Sequence, residues 1–569
     1  MTSPRLNFPD INIAMPPRPR LPALRTAALF VASLLLLATS VLGAERRRIT
    51  ILSTTDLHGH IYPEDYFTEK PDALGLAKIA TLIREQRKDA PHALLVDCGD
   101  TIQGSPLEYV HARVYPQPAD PMMLAMNALH YDCMTVGNHE YNFGLGVLEK
   151  ARAEAHFPWL SANTLSLAIH EPAYAPCLIR DVDGVRVAVI GLTTPKIPVW
   201  EDPPHYQGLT FADPVATARF WVSRVRKREH ADVVILAVHM GLEEDLGRSD
   251  APPPALPGEN ESLALARSVP GVDLILMGHT HRNVPDLFVN GVLLAQAGRW
   301  GDHLVRADLY LEKSAAGSWS VIGKSARSIP VTSATPADPA IEALAAPYEA
   351  QTQAWLRRPI GRCAVELDAR DSRERDTALV DFINRVQMDA GHADVSFASS
   401  FTLSARIPAG EVTVRDINSL YVYENTLTVV EATGAQIKAA LEHSARYYRA
   451  LPAGASLAER IDPSIPGYNF DIASGVTYTM DLGRPFGQRI VALKYQGRPL
   501  APDQKLRVAL NNYRYGGGGG YTMFKTCPVL WTSSEEIRNL IIDWVERHHV
   551  VPSAPDDHWR IQLPPKSNP

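Results

Sequence analysis

Cysteine is scarce in this sequence. Five residues, Cys98, Cys133, Cys177, Cys363 and Cys527, are scattered along 569 with no Cys-x-x-Cys pair. Such spacing excludes a disulfide-dense scaffold and a zinc knuckle. Most of the thiols are expected as small buried hydrophobes, and one disulfide stays open. A strong excess of charge is also missing: the formal net charge of -7 gives no extended basic surface for a nucleic-acid polymer. A small phosphate-bearing substrate is still compatible, because metal ions and a few arginines supply positive charge locally. There is no internal repeat or long low-complexity tract, and beyond residue 44 no stretch is apolar enough to cross a bilayer. At 46% hydrophobic and 21% charged, the composition is that of an ordinary globular protein, too long for one core and expected to form two domains or more.

The one apolar run stands at the N-terminus. Arg18, Arg20 and Arg25 precede it, it extends from Ala27 to Leu42, and Gly43-Ala44 ends it before Glu45-Arg46-Arg47-Arg48. A basic segment, an apolar segment and small residues at the break describe a secretory signal peptide over residues 1–44. The competing reading is an uncleaved anchor, but the run falls short of the roughly 20 residues a spanning helix needs. The mature protein is expected to be exported and free of stable membrane insertion. The periplasm is the first expectation, the cell exterior or surface the second.

From Ile49 to about Leu311 short apolar runs alternate with amphipathic segments. Strands are expected at Ile49–Thr54, Ala93–Val96, Val185–Ile190, Val233–Val238, Leu274–Met277 and Val292–Ala295. Helices are expected at Gly75–Arg87 and around Met122–Leu129. This is the pattern of a layered α/β domain, here residues 45–330, whose functional loops leave the strand ends. Pro252-Pro253-Pro254 reads as a surface loop. Ser328–Ala340 reads as a linker leading into a helix at Ile341–Leu356, so that residues 331–358 connect two domains. Residues 359–550 read as an α+β domain, with helices at Thr377–Ala390, Gly434–Tyr447 and Glu535–His548 among short strands. Residues 551–569 form a tail.

Five blocks in the first domain carry the chemistry: Asp56-Leu57-His58-Gly59, Gly99-Asp100, Gly137-Asn138-His139-Glu140, His239-Met240-Gly241 and Gly278-His279-Thr280-His281. Each follows an apolar run, so each places its polar side chains just past a strand end. Alone, any of them reads as a capped turn or a core histidine. Together they offer oxygen and imidazole donors without thiolate, a set suited to zinc, manganese, iron or cobalt. The neighbouring glycines allow sharp turns and close approach.

The order and spacing of these blocks resemble the calcineurin-like metallophosphoesterases, and among them the 5′-nucleotidase branch. The resemblance runs from about Arg48 to the C-terminal helix. It implies a four-layer α/β metallophosphoesterase domain followed by an α+β substrate domain. It also implies that Asp56, His58 and His281 hold one divalent ion, that Asn138, His239 and His279 hold a second, and that Asp100 bridges them. Two ions about 3.5–4 Å apart can activate a bridging hydroxide for in-line attack on phosphorus. Manganese, zinc and cobalt all suit the donors. His139 matches the family's catalytic histidine, which stabilises the transferring phosphoryl group and leaving oxygen.

One position departs from the 5′-nucleotidase pattern. Where that pattern reads Gly-Asn-His-Glu-Phe-Asp, this chain has Gly137-Asn138-His139-Glu140-Tyr141-Asn142. Asparagine can hydrogen-bond an imidazole but carries no charge to stabilise its cation. This version looks like the 2′,3′-cyclic-nucleotide 2′-phosphodiesterase/3′-nucleotidase subfamily, as do Gly104-Ser105-Pro106 and the stretch Gly298–His303. In the second domain, Tyr423 and Tyr513 match the paired rings that sandwich a base in the family. Asn425 is placed to bond a base edge, and Gly516 through Gly520 to admit the sugar. Arg373, Arg375 and Arg406 fall where the family has phosphate- or ribose-facing arginines; on composition alone they read as surface charge. The resulting expectation is a dimetal hydrolase that opens 2′,3′-cyclic nucleotides and then dephosphorylates 3′-nucleotides. A 5′-nucleotidase or nucleotide-sugar hydrolase is the alternative, and a nucleotide-binding surface protein with structural metals the remote one.

Overall fold

The computed structural model describes residues 44–116, 118–244, 257–421, 423 and 425–564. The expected signal peptide and the Pro252–Pro254 loop lie outside the described residues. Two six-stranded sheets face each other in the first half of the chain. One runs in the order Trp319–Pro330, His303–Lys313, Arg46–Thr54, Leu94–Asp97, Cys133–Thr135, Trp159–Leu160. The other runs Asn283–Val289, Val292–Ala297, Leu274–Met277, Val233–His239, Val185–Thr193, Cys177–Val182. Val96, Val189, Ile235 and Leu276 meet Ile49, Ile51 and Leu309 in the core between them. Strands buried on both faces need continuous apolar sequence, as in the wholly buried Val233–His239. Helices Leu76–Asp89, Pro121–Ala128 and Pro339–Leu356 cover one sheet, and Pro214–Arg228 with Ser262–Ser268 covers the other. Helix, sheet, sheet and helix make the four layers. The strands that matter for the site are parallel to their neighbours, so their carboxyl ends open at one rim.

The linker-like stretch Ser328–Ala340 begins three residues too early. Residues Ser328–Pro330 continue a strand whose register runs from His303↔Pro330 to Lys313↔Trp319. This strand is on the sheet edge and mostly solvated, so its Ser, Arg and Lys residues read as loop composition. The connecting helix begins at Pro339, capped by Asp338, whose carboxylate accepts from Ala340 N and Ile341 N. Beyond it, a five-stranded sheet (Asp471–Ser474, Val395–Ser399, Lys505–Asn511, Thr426–Thr433, Val529–Glu536) packs against helices Ala378–Gly391, Gly434–Ser444 and Ile537–His548 around one core. The expected tail instead contributes Trp559–Gln562, a strand parallel to Val476–Asp481. All five cysteines are free.

The two halves touch beside the rim. Asn512 Nδ2 donates to Trp200 O at 3.1 Å, and Thr426 Oγ1 donates to Asp202 Oδ2 at 3.3 Å. Further along, Tyr109 OH donates to Asn539 Oδ1 at 2.7 Å, and Arg415 Nη1 to Tyr66 O at 2.7 Å.

Candidate metal centre

Every donor block sits at a strand's carboxyl end, and the backbone there is unusual. Asp56 (φ 51°), His58 (47°), Asp100 (59°), His279 (73°) and His281 (56°) all occupy the left-handed region. A non-glycine residue in that region costs about 1–3 kcal/mol when strained, although Asp and His tolerate it better than most. Five such residues within one cluster mean that the loops are held by their surroundings. Glu140 supplies much of the hold. Its buried carboxylate accepts from Gly137 N at 2.6 Å, Asp100 N at 3.0 Å and Thr101 N at 2.5 Å, stitching two loops together. Gly137 is needed for this approach, since a Cβ there would overlap the Asp100 carboxylate.

The donors converge on Asp100. Asp56, His58, Asp100 and His281 have donor atoms within 4.8 Å of one another, as do Asp100, His239 and His279. His239 Nε2 is 3.0 Å from Asp100 Oδ2 and 3.0 Å from Asn138 Oδ1. His279 Nδ1 lies 2.9 Å from the same Asn138 oxygen. His58 Nε2 is 3.0 Å from His281 Nε2 and 3.9 Å from Asp100 Oδ2, and His281 Nε2 is 3.5 Å from Asp56 Oδ1. The outer nitrogens fix the tautomers: His58 Nδ1 faces Gln103 O at 2.8 Å, His239 Nδ1 faces Cys98 O at 2.7 Å, and His279 Nε2 faces Glu259 Oε1 at 3.0 Å. These N–H groups donate outward, so the inner nitrogens of His58, His239 and His279, when the rings are neutral, present lone pairs to the cluster. A cation between such facing acceptors resolves the clash, and the donors fit a pair of divalent ions.

The electrostatics point the same way. Burial works against a charge on His239, yet Asp100, Asp56 and Glu140 raise its pKa to about 10. Burial drives His58 down to about 3. Asp100 is desolvated too, but His239, His139 and His58 hold its carboxyl well below the usual range. The pocket is acidic at its centre and calls for positive charge.

His139 stands beside this cluster, its ring 5.1 Å from that of His58, with its backbone N donating to Asp100 Oδ1 at 2.8 Å. Its Nδ1–H donates to Asn142 Oδ1 at 2.6 Å. Asn142 Nδ2 in turn donates to Glu201 Oε1, and the other Glu201 oxygen lies 3.0 Å from His205 Nδ1. Sequence reasoning missed Glu201, which is 59 residues from Asn142 and in no motif.

The expected substrate residues divide. Tyr513 lies flat on Gly518, where a Cβ would come within 2.5 Å of three ring carbons, and its hydroxyl accepts from Gly519 N at 3.2 Å. The glycine run is thus shaped around this ring. Tyr423 stays 40% exposed and meets Phe401 edge-on at 5.1 Å. Desolvation raises the pKa of its hydroxyl, with Arg299 opposing and Tyr513 reinforcing; Tyr513 is raised in the same way, reinforced by Glu259. Two of these influences come from residues beside the donors: Arg299 Nη1 is 3.5 Å from His281 Nδ1, and Glu259 holds His279. Asn425 Nδ2 donates to Asn512 Oδ1 at 3.2 Å. Arg373 Nη2 donates to Ser400 O at 2.9 Å. Arg375 is engaged by Asp371 at 2.7 Å on the exposed surface, and Arg406 is exposed on a two-residue strand. Arg299, in a stretch noted only for its resemblance, stands beside the donor His281.

The family model for calcineurin-like phosphoesterases matches residues 49–283, and that for the 5′-nucleotidase C-terminal domain matches residues 359–526. The chain is 31% identical to a 2′,3′-cyclic-nucleotide 2′-phosphodiesterase/3′-nucleotidase of Yersinia enterocolitica, over 93% of this chain and 90% of that protein. It is 30% identical to the trifunctional nucleotide phosphoesterase protein YfkN of Bacillus subtilis, over 91% of this chain but 39% of that protein. A Staphylococcus aureus structure assigned as a 5′-nucleotidase, in complex with α-ketoglutarate, superposes with a TM-score of 0.79 at 29% identity, covering 90% of this chain and 100% of that one. The chain therefore belongs to the calcineurin-like phosphoesterases that carry a 5′-nucleotidase C-terminal domain, and it is a hydrolase of phosphoric esters.

Proposed function

We propose that this protein hydrolyses nucleotides, opening 2′,3′-cyclic nucleotides to 3′-nucleotides and removing the 3′-phosphate to release nucleosides. The observation that carries the reading is the ring of donors around Asp100, with His139 held against it. The relatives named as 2′,3′-cyclic-nucleotide 2′-phosphodiesterase/3′-nucleotidase support the choice of ester.

Asp56, His58 and His281 would hold one divalent ion, Asn138, His239 and His279 the other, and Asp100 both. When bound, these ions supply Lewis acidity toward the phosphoryl oxygens. The remaining work falls to this chain's own side chains. With Nδ1–H anchored on Asn142, His139 offers Nε2 to the phosphoryl or leaving oxygen and moves a proton there. Tyr423 and Tyr513 stack on the base; each ring is worth roughly 1–3 kcal/mol and tolerates any base. Asn425 bonds a base edge. Of the arginines, Arg299, beside His281, is placed to meet a phosphate or ribose; Arg373, Arg375 and Arg406 would need substrate to draw them in. Residues 1–44 direct export, most consistent with a periplasmic enzyme. Among the described residues no helix is long and apolar enough to cross a membrane.

Phosphate release from 2′,3′-cyclic AMP, 3′-AMP and 5′-AMP, with chelator and with added manganese, zinc or cobalt, tests this. The cyclic and 3′ substrates should lead, and chelation should silence all three. A clear preference for 5′-AMP overturns the assignment in favour of a 5′-nucleotidase.

A further inference from the structure

In the second half of the chain, away from the donors around Asp100, the described residues hold another cluster with metal-type groups: Asp376, Asp381 and His558. All three are at least nine-tenths buried, with 6%, 5% and 8% of their surfaces exposed. His558 Nδ1 is 2.9 Å from Asp376 Oδ2 and 3.5 Å from Asp381 Oδ1. Yet His558 Nδ1, Asp376 Oδ1 and Asp381 Oδ1 are each buried without a hydrogen bond. Their companion atoms are anchored. Asp376 Oδ2 accepts from His558 N at 2.8 Å, Asp381 Oδ2 accepts from Asp556 N at 2.9 Å, and His558 Nε2 lies 3.4 Å from Ser474 Oγ. The Thr377 hydroxyl, next in the chain to Asp376, is also buried and unbonded.

Two carboxylates and an imidazole share a buried pocket, each with one polar atom that makes no well-formed hydrogen bond. Burying such charges costs several kcal/mol per ion unless they are well paired. With bonds of about 2.0–2.2 Å, two donors on one ion stand roughly 3.0–3.5 Å apart, close to the 2.9 and 3.5 Å from His558 Nδ1 to the two carboxylates. An imidazole that ligates through Nδ1 keeps its proton on Nε2, here toward Ser474.

We propose that Asp376, Asp381 and His558 bind a single divalent cation of the zinc or manganese kind, separate from the hydrolytic pair. Ligation needs deprotonated donor atoms, so binding releases to solvent any proton the cluster holds, and solvent water completes the coordination. The role is structural. Asp376 and Asp381 flank the start of helix Ala378–Gly391, and His558 leads into the last strand, Trp559–Gln562. The ion fastens the end of the chain onto the substrate-side core.

The test is a metal count on the full chain, saturated separately with Zn²⁺ and with Mn²⁺, desalted and analysed for bound ion. Asp381→Asn and His558→Gln should each bind one ion fewer than the unaltered protein with either or both metals, while nucleotide hydrolysis changes less than about twofold. Equal counts in the unaltered protein and both variants overturn the proposal and leave a proton-sharing cluster. Should the variants fail to fold, anomalous scattering from crystals of the unaltered protein grown with Mn²⁺ decides. A peak among the three side chains supports the site, and its absence overturns it. Neither readout depends on which nucleotide is the substrate.

Discussion

Asn142 ties His139 to Glu201: its amide oxygen accepts from His139 Nδ1 at 2.6 Å while its amide nitrogen donates to a Glu201 carboxylate oxygen. The negative charge that the 5′-nucleotidase pattern places directly on the histidine is here one residue further out, with a neutral amide between. Asn142→Asp would set two carboxylates against each other with no proton donor between them. We expect it to lower kcat by about tenfold, since like charges at hydrogen-bond distance cost on the order of 1 kcal/mol or more. The double variant Asn142→Asp/Glu201→Gln should recover most of the loss, because the glutamine amide can donate to the new aspartate. Full activity in Asn142→Asp alone would show that Glu201 does not position the histidine.

Removing the imidazole is more severe. His139→Ala should lower kcat by roughly 10²–10⁴-fold, the range for a group that moves a proton in the transition state. Metal content should stay unchanged, because the residue binds its neighbours through its backbone N–H to Asp100. Parallel kinetics and elemental analysis separate loss of chemistry from loss of metal.

Asp100→Asn should do the opposite. Its Oδ2 is the buried, hydrogen-bond-free oxygen at the meeting point of both donor groups. We expect loss of bound metal together with activity, with excess Mn²⁺ restoring only part. A variant that keeps its full metal complement would exclude a bridging role.

Tyr513 and Gly518 give a test of the substrate side. Gly518→Ala pushes a methyl group into the ring face. Tilting one ring away from the base by enough to lose about 1 kcal/mol should raise KM about fivefold. Metal content should not change, and kcat should change little. An unaltered KM would remove Tyr513 from the binding site.

Glu201 also pairs with His205, which yields a pH prediction. The hydrogen bond from Glu201 raises the His205 pKa against desolvation; the charges of Glu201 and Asp202 add to it and Arg113 opposes it. A histidine whose folded pKa is raised contributes stability fully below its unfolded value of about 6.5 and loses it as pH climbs through the folded value. The melting-temperature gap between the unaltered protein and His205→Gln should therefore be widest below about pH 6.5 and narrow as the pH rises above it. A gap that widens with pH contradicts the pairing.

The donor blocks were readable because strand-then-loop periodicity puts each polar group at a strand's end, and parallel strands share a rim. The bracing was not. Glu140 stands inside a quoted block, but nothing in the sequence says that its carboxylate gathers backbone N–H groups from a second loop. Glu201 reaches Asn142, and His558 reaches Asp376, only through tertiary packing across long stretches of chain. The left-handed backbone at Asp56, His58, Asp100, His279 and His281 has no compositional trace, since aspartate and histidine are compatible with ordinary loops. Edge strand Trp319–Pro330 was partly misread as linker because a solvated strand and a loop share the same residues.

The contacts beside Trp200 carry a mechanical consequence. Asn512 grips the residue before Glu201 and Thr426 the residue after it, while Glu201 itself reaches back through Asn142 to His139. The C-terminal half of the chain thus has its hand on the lever that aims the imidazole. Loosening either grip should free Glu201 to shift, so Thr426→Val should depress kcat through the Glu201–Asn142–His139 chain.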